Sequence, residues 1–135
     1  MRVYTSILFA SFYLGGLSQD WPTSGKFNET PTGLRYLLLS NIRSANVDTN
    51  TKYIYFKYIW FSSADKKIKL STVNDPPLEF YIKSNKFVSG FNEALKMLNA
   101  GEKAYFIIPK SLAYGENGIE GEIDLYYYIE VVDRK

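Results

Sequence analysis

The stretch from Phe87 to Gly115 constrains this chain more than any other part of it. Phe91, Ala94, Leu95 and Leu98 recur at i, i+3, i+4 and i+7, so a short helix turns one side inward while Asn92, Glu93, Lys96 and Asn99 stay wet. Ser89 is placed to cap its start, and Gly101 to end it in the left-handed conformation that a residue without Cβ takes freely. The apolar run up to Ile108 predicts a strand, and Pro109 to Gly115 a tight loop carrying Tyr114. A Tyr between Ala113 and Gly115 in a loop has no packing pattern to explain it, which marks it as a functional candidate.

The remaining elements read as strands. Leu34 to Ile42 opens the sheet, and Ser44 to Thr51 is a polar turn. Lys52 to Ser62 carries Tyr53, Ile54, Tyr55, Phe56, Tyr58, Ile59, Trp60 and Phe61 with almost no polar alternation, the pattern of a strand covered on both faces. Lys66 to Val73 returns, Asn74 to Pro77 is a loop, Leu78 to Ile82 is a further strand, and Tyr126 to Val132 closes the domain. Twelve Tyr and nine Phe suit aromatic cross-strand pairs. The fold class expected is α+β, a bent antiparallel β-sheet wrapped around one short α-helix.

Composition removes several kinds of chemistry. At 135 residues there is room for one domain with a core but not for two. A formal charge of +2 without any Lys/Arg-rich run gives no reason to expect nucleic acid as a partner. Cysteine and histidine are both absent, which excludes a disulfide framework, thiol chemistry and a histidine base. No metal and no cofactor are expected.

At the N-terminus, Met1-Arg2 precedes an uncharged stretch from Val3 to Leu17, with the small residues Gly16 and Ser18 at its exit. Residues 1–18 read as a secretory signal peptide cleaved after Ser18; a first strand or buried helix of the mature fold is the competing reading. The run is short of the ~20 apolar residues of a membrane span. Trp21 to Pro31 is rich in Pro, Thr, Ser, Gly and Asn, so residues 19–33 are read as a solvated linker and residues 34–135 as the folded domain. Export to a periplasmic or extracytoplasmic compartment is the expectation that follows.

Val88, Gly90, Glu93, Leu95, the run Gly101-Glu102-Lys103-Ala104, Ile108-Pro109 and Leu112-Ala113-Tyr114-Gly115 also match a known pattern in order and spacing. That pattern is the central segment of FKBP-type peptidyl-prolyl cis-trans isomerases, V-I-x-G-W-x-E-x-L/V-x-x-M-x-x-G-E/Q-K/R-A, then an apolar strand, then I-P-x-x-L/Y-A-Y-G. Thr30-Pro31-Thr32-Gly33-Leu34-Arg35-Tyr36 resembles the T-x-S/T-G-L-x-Y lead-in of exported bacterial members. The resemblance thus runs from roughly Thr30 to Asp133.

The resemblance implies a site as well as a fold. Phe91 becomes the floor, where the family usually has Trp; Tyr114 donates its hydroxyl to the carbonyl before the proline; and the Val88 N–H holds the next acceptor. Those three are the implied catalytic residues. Tyr58, Ile68, Leu78, Phe80, Phe87 and Tyr127 are the implied substrate-binding walls, although Phe80 and Tyr127 also suit plain strand packing. Trp60 stands for a family glycine, Ile68 for phenylalanine and Lys69 for aspartate, and the loop from Glu116 to Leu125 is shorter than usual and lacks proline. The function implied is isomerisation of proline-containing polypeptide clients among exported proteins, weakened by these departures. The competing reading is a non-catalytic FKBP-like chaperone, or a protein-binding subunit of an envelope assembly.

Overall fold

The computed structural model describes residues 20–39, 49–84 and 86–135. Its elements in chain order are β1 (Asn28–Glu29), β2 (Arg35–Leu38), β3 (Tyr53–Phe61), β4 (Ile68–Ser71), β5 (Leu78–Tyr81), α1 (Ser89–Met97), β6 (Lys103–Ile108) and β7 (Leu125–Arg134). Short 3-10 turns at Lys110–Leu112 and Gly115–Asn117 lie between β6 and β7. The strands form one antiparallel sheet in the order β1-β2-β6-β7-β3-β4, and β5 pairs with β3 along Tyr53 to Phe56. The last two strands therefore insert between the second and the third, and β3 shares its outer edge between β5 and β4.

The period of the apolar residues explains which layer each strand joins. Along β3, Ile54 and Phe56 face the helix while Ile59 and Phe61 face away, so a strand with few polar residues has both faces covered. On β6, Ala104, Phe106 and Ile108 meet the helix side and Tyr105 the other. Phe91, Ala94, Leu95 and Leu98 of the helix segment are buried in the same cluster as Phe106 and Ile129, as their spacing predicts. Burying each of the larger ones contributes roughly 1.5–3 kcal/mol, enough to hold a helix too short to persist alone.

Both expected helix caps lie elsewhere. Ser89 is the first helical residue, not the cap; Val88 occupies the N-cap without a side-chain bond, and the Ser89 hydroxyl donates to the Leu112 carbonyl at 3.4 Å. At the other end the helix stops at Met97, and Leu98 is already extended. Gly101, at φ +87°, instead serves the turn that leads into β6, where the Glu102 N–H donates to the Asn99 carbonyl at 3.0 Å. The helix's C-terminal carbonyls go to Arg134, whose Nη1 donates to the Leu98 carbonyl at 2.7 Å and the Leu95 carbonyl at 3.4 Å, while its Nε reaches Thr51 Oγ1 at 3.1 Å. A cation there also complements the helix dipole.

The expected linker is a packed strap. Trp21 stacks on Phe27 at 5.8 Å and meets Phe61, Tyr105 and Tyr126 edge-on at 5.4, 5.2 and 5.1 Å. The Tyr105 hydroxyl donates to the Asp20 carbonyl, and Asn28–Glu29 pairs with the start of β2. Turn-forming composition says nothing about one large aromatic, and here that aromatic covers the sheet's outer face. The leader reading for residues 1–18, the first strand's expected end at Ile42 and most of the following polar turn lie outside the described residues.

Candidate active site

Phe91 is the centre of an aromatic bowl. Its ring lies 4.9 Å from Tyr127, 5.0 Å from Phe87, 5.7 Å from Phe56 and 5.8 Å from Tyr58, with the Tyr127 and Tyr58 contacts edge-to-face. Such contacts fix ring orientation beyond what area burial alone would. Above Phe91 opens a cavity of about 130 Å³ lined by Tyr58, Leu78, Lys86, Phe87, Val88, Phe91, Tyr114 and Tyr127. An apolar cavity of ~150 Å³ accommodates a benzene ring, so this one has the capacity for a single small ring.

Different elements bring those side chains together. β3 supplies Tyr58, β5 Leu78, the entry to α1 Phe87 and Val88, α1 itself Phe91, and β7 Tyr127. Tyr114 comes from the loop after β6, which is tied down where the Leu112 N–H donates to the Pro109 carbonyl at 2.9 Å and the Lys110 N–H to Asp124 Oδ1 at 2.9 Å. Gly90 sets how near that loop sits to the helix: a Cβ there would lie 2.4 Å from Ile108 Cγ2, 3.0 Å from Leu112 Cβ and 3.1 Å from the Leu112 oxygen. Only a residue without a side chain permits this approach.

The bowl offers donors at its rim. Tyr114 is half-exposed. The Val88 N–H meets no acceptor among the described residues, on a backbone still extended at ψ 154° before the helix begins. Burial pushes the Tyr127 phenol well above its ordinary range, with Tyr58 and Tyr114 adding to the shift, and burial likewise raises Tyr58. Both stay neutral and keep their hydroxyl protons at any physiological pH. Among the described residues no cluster of three or more His, Cys, Asp or Glu could hold a metal. The arrangement can desolvate a small ring and presents hydrogen-bond donors at its rim; among the described residues it offers no nucleophile paired with a base.

Of the residues expected here from sequence, Phe80 and Ile68 do not line the cavity. Phe80 is wholly buried beneath the wall, with its ring 5.7 Å from Phe87. Ile68 is turned away by an irregularity in the β3–β4 pairing: Trp60 pairs with Leu70 but Phe61 with Ile68, which leaves Lys69 as the extra residue. Ile68 thereby shares the outer face with Phe61 and lines a separate hollow beside Trp21.

Trp60 and Lys69, next to the bowl, form a strut with Glu122. Trp60 stacks on Tyr127 at 6.3 Å outside the cavity, and Lys69 Nζ covers Trp60 at 4.6 Å from the ring centre. Lys69 pairs with Glu122 Oε2 at 3.2 Å, and Glu122 Oε1 accepts the Ser63 N–H at 2.8 Å. Burial works to raise the Glu122 pKa, but the bonds from Ser63 and Lys69 outweigh it and hold the carboxyl below its ordinary value. Glu122 is positioned by the loop before β7, which closes in a tight turn: Ile119 and Glu122 exchange N–H···O bonds at 2.8 Å, and the central Glu120 and Gly121 both have positive φ, 49° and 81°. Lys69 thus anchors this loop.

Lys86 is a lining residue that the sequence did not single out, and its place just before Phe87-Val88 was the available signal. Glu122 was missed because its partners lie far along the chain.

A family model described as FKBP-type peptidyl-prolyl cis-trans isomerase matches residues 46–132. Peptidyl-prolyl cis-trans isomerase FPR2 of Saccharomyces cerevisiae is 36% identical over 63 residues, covering 44% of this chain and 47% of that protein. Peptidyl-prolyl cis-trans isomerase FKBP10 of Mus musculus is 33% identical over 64 residues, covering 45% of this chain and 11% of that protein. The match thus spans less than half the length of either relative. FkpA from Escherichia coli superposes with a TM-score of 0.66 at 24% identity, over 84% of this chain and 53% of that one. A peptidyl-prolyl cis-trans isomerase from Pseudomonas syringae pv. tomato does so with a TM-score of 0.64 at 23% identity, over 84% of each chain. These two structures share the fold described above.

Proposed function

Because this chain belongs to the FKBP-type peptidyl-prolyl cis-trans isomerase family, we propose that its bowl catalyses cis-trans isomerisation of X-Pro bonds in polypeptide clients. Rotation faces a barrier of ~18–20 kcal/mol because amide resonance is lost in the twisted state. No covalent intermediate is needed. An apolar bowl takes water from the prolyl carbonyl, disfavouring the charge-separated planar amide, and a wall shaped for the twisted form binds that form best. Phe91 is the floor under the proline ring. Tyr58, Leu78, Phe87 and Tyr127 are the walls; Tyr114 donates to the carbonyl before the proline and the Val88 N–H to the proline's own carbonyl.

The observation that carries this reading is the convergence of Phe91, Tyr127, Tyr114 and Val88 on one cavity of single-ring size. Turnover is slow in this reading, because the tight Glu120-Gly121 turn leaves little lip over the bound ring. Exported clients are part of the proposal, supported by the leader-like residues 1–18; N-terminal sequencing of secreted protein tests that part.

Two-dimensional exchange NMR of a Leu-Pro peptide with catalytic amounts of protein tests the activity. Enhanced exchange is expected, reduced about tenfold or more in Tyr114→Phe, since one lost transition-state contact of ~1.4 kcal/mol is tenfold in rate. Exchange at the buffer rate, with the peptide nonetheless bound, would select the non-catalytic chaperone reading instead.

A further inference from the structure

Among the residues lining the bowl, Lys86 alone is charged. Its side chain leans over the bowl wall, with Nζ 5.8 Å from the centre of the Phe87 ring, at the outer reach of a cation–π contact. Among the described residues no carboxylate lies within ion-pair distance of it. The other cation near the site, Lys69, is neutralised by Glu122 at 3.2 Å. The rim therefore carries one unbalanced positive charge among the described residues, on a side chain two positions before Val88.

That side determines which part of a client meets Lys86. With Tyr114 on the carbonyl before the proline and Val88 on the proline's own carbonyl, the chain leaves the bowl past the helix entry. The next residue then emerges beside Lys86, two positions upstream of Val88. We infer that Lys86 is a specificity-determining residue that favours proline sites followed directly by an acidic side chain, an inference that rests on the isomerase reading above. The contact is made at the rim, with the planar and the twisted amide alike, so it acts as uniform binding and lowers KM while leaving kcat alone. An exposed ion pair of this kind is worth about a two- to fivefold change in kcat/KM.

The test uses the full chain and exchange NMR on three peptides that differ only in the residue after proline: Glu, Gln or Lys. The expected order of kcat/KM is Glu above Gln above Lys, with steps of about two- to fivefold that reside in KM. The order should flatten at about 1 M salt, where the screening length falls to ~3 Å. In Lys86→Glu the order should reverse, and in Lys86→Gln the spread should collapse. Equal kcat/KM for the three peptides, an order that ignores salt, or an order retained in a folded Lys86→Glu or Lys86→Gln variant would each overturn the inference. Acceleration of all three peptides alike removes only the preference, whereas acceleration of none removes the isomerase reading with it.

Discussion

Gly90→Ala probes whether the helix and the Tyr114 loop act as one unit. The added methyl would sit 2.4 Å from Ile108 Cγ2, against the 3.5–4.0 Å of an ordinary carbon contact, so about 1.1–1.6 Å must be found. Ile108 is wholly buried and cannot swing aside, and the next neighbours are Leu112 Cβ at 3.0 Å and the Leu112 backbone oxygen at 3.1 Å. The helix entry and the loop must therefore separate by roughly 1 Å. Overpacking of this size costs about 1–3 kcal/mol. Replacing Gly by Ala in a helix returns up to ~1 kcal/mol of propensity, leaving a net loss of roughly 0–2 kcal/mol. For a domain of this size each kcal/mol lowers Tm by roughly 3–6 °C. Activity suffers more, because a displacement near 1 Å between Val88, Phe91 and Tyr114 is enough for a loss of about 10²-fold. Thermal unfolding followed by circular dichroism, together with exchange NMR on the folded variant, measures both quantities. A Gly90→Ala protein with raised Tm and full activity would refute the idea that close approach at Gly90 sets the bowl.

Other perturbations separate the remaining contacts. Trp21→Ala removes the ring packed against Phe27, Phe61, Tyr105 and Tyr126 and should lower stability by about 2–4 kcal/mol in urea, while leaving the isomerase rate of the folded fraction unchanged. An unchanged urea midpoint would restore the linker reading. Arg134→Met strips the guanidinium from the Leu95 and Leu98 carbonyls and from Thr51, with an expected loss of about 1.5–3 kcal/mol by the same unfolding measurement. Glu122 has a folded pKa below its ordinary 4.5, so its stabilising contribution is complete above that pH and disappears as pH falls through the folded value. The acid side of a Tm-against-pH curve should therefore be shallower in Glu122→Gln than in the parent, and identical curves would show that the Lys69–Glu122 strut adds nothing.

The amino-acid sequence by itself determined the layers. Apolar residues at helical spacing placed Phe91 and Leu95 on the sheet, and a run such as Ile54 to Phe61 could only be a strand with two covered faces. Tyr114 stood out because its loop gave it nothing local to pack against. These are short-range properties: side-chain period and the special backbone of turns depend on a few neighbouring residues. What the tertiary structure decided were meetings between residues far apart in the chain. The irregular Trp60–Phe61 register turned Ile68 outward, Arg134 rather than Gly101 took the helix's last carbonyls, and Trp21 changed a turn-rich segment into a cover for the outer face. Lys69 and Glu122 found each other only after β4 and the final loop were folded side by side. No local rule anticipates such partners, because their free energy depends on distances that exist only once the sheet has closed around the helix.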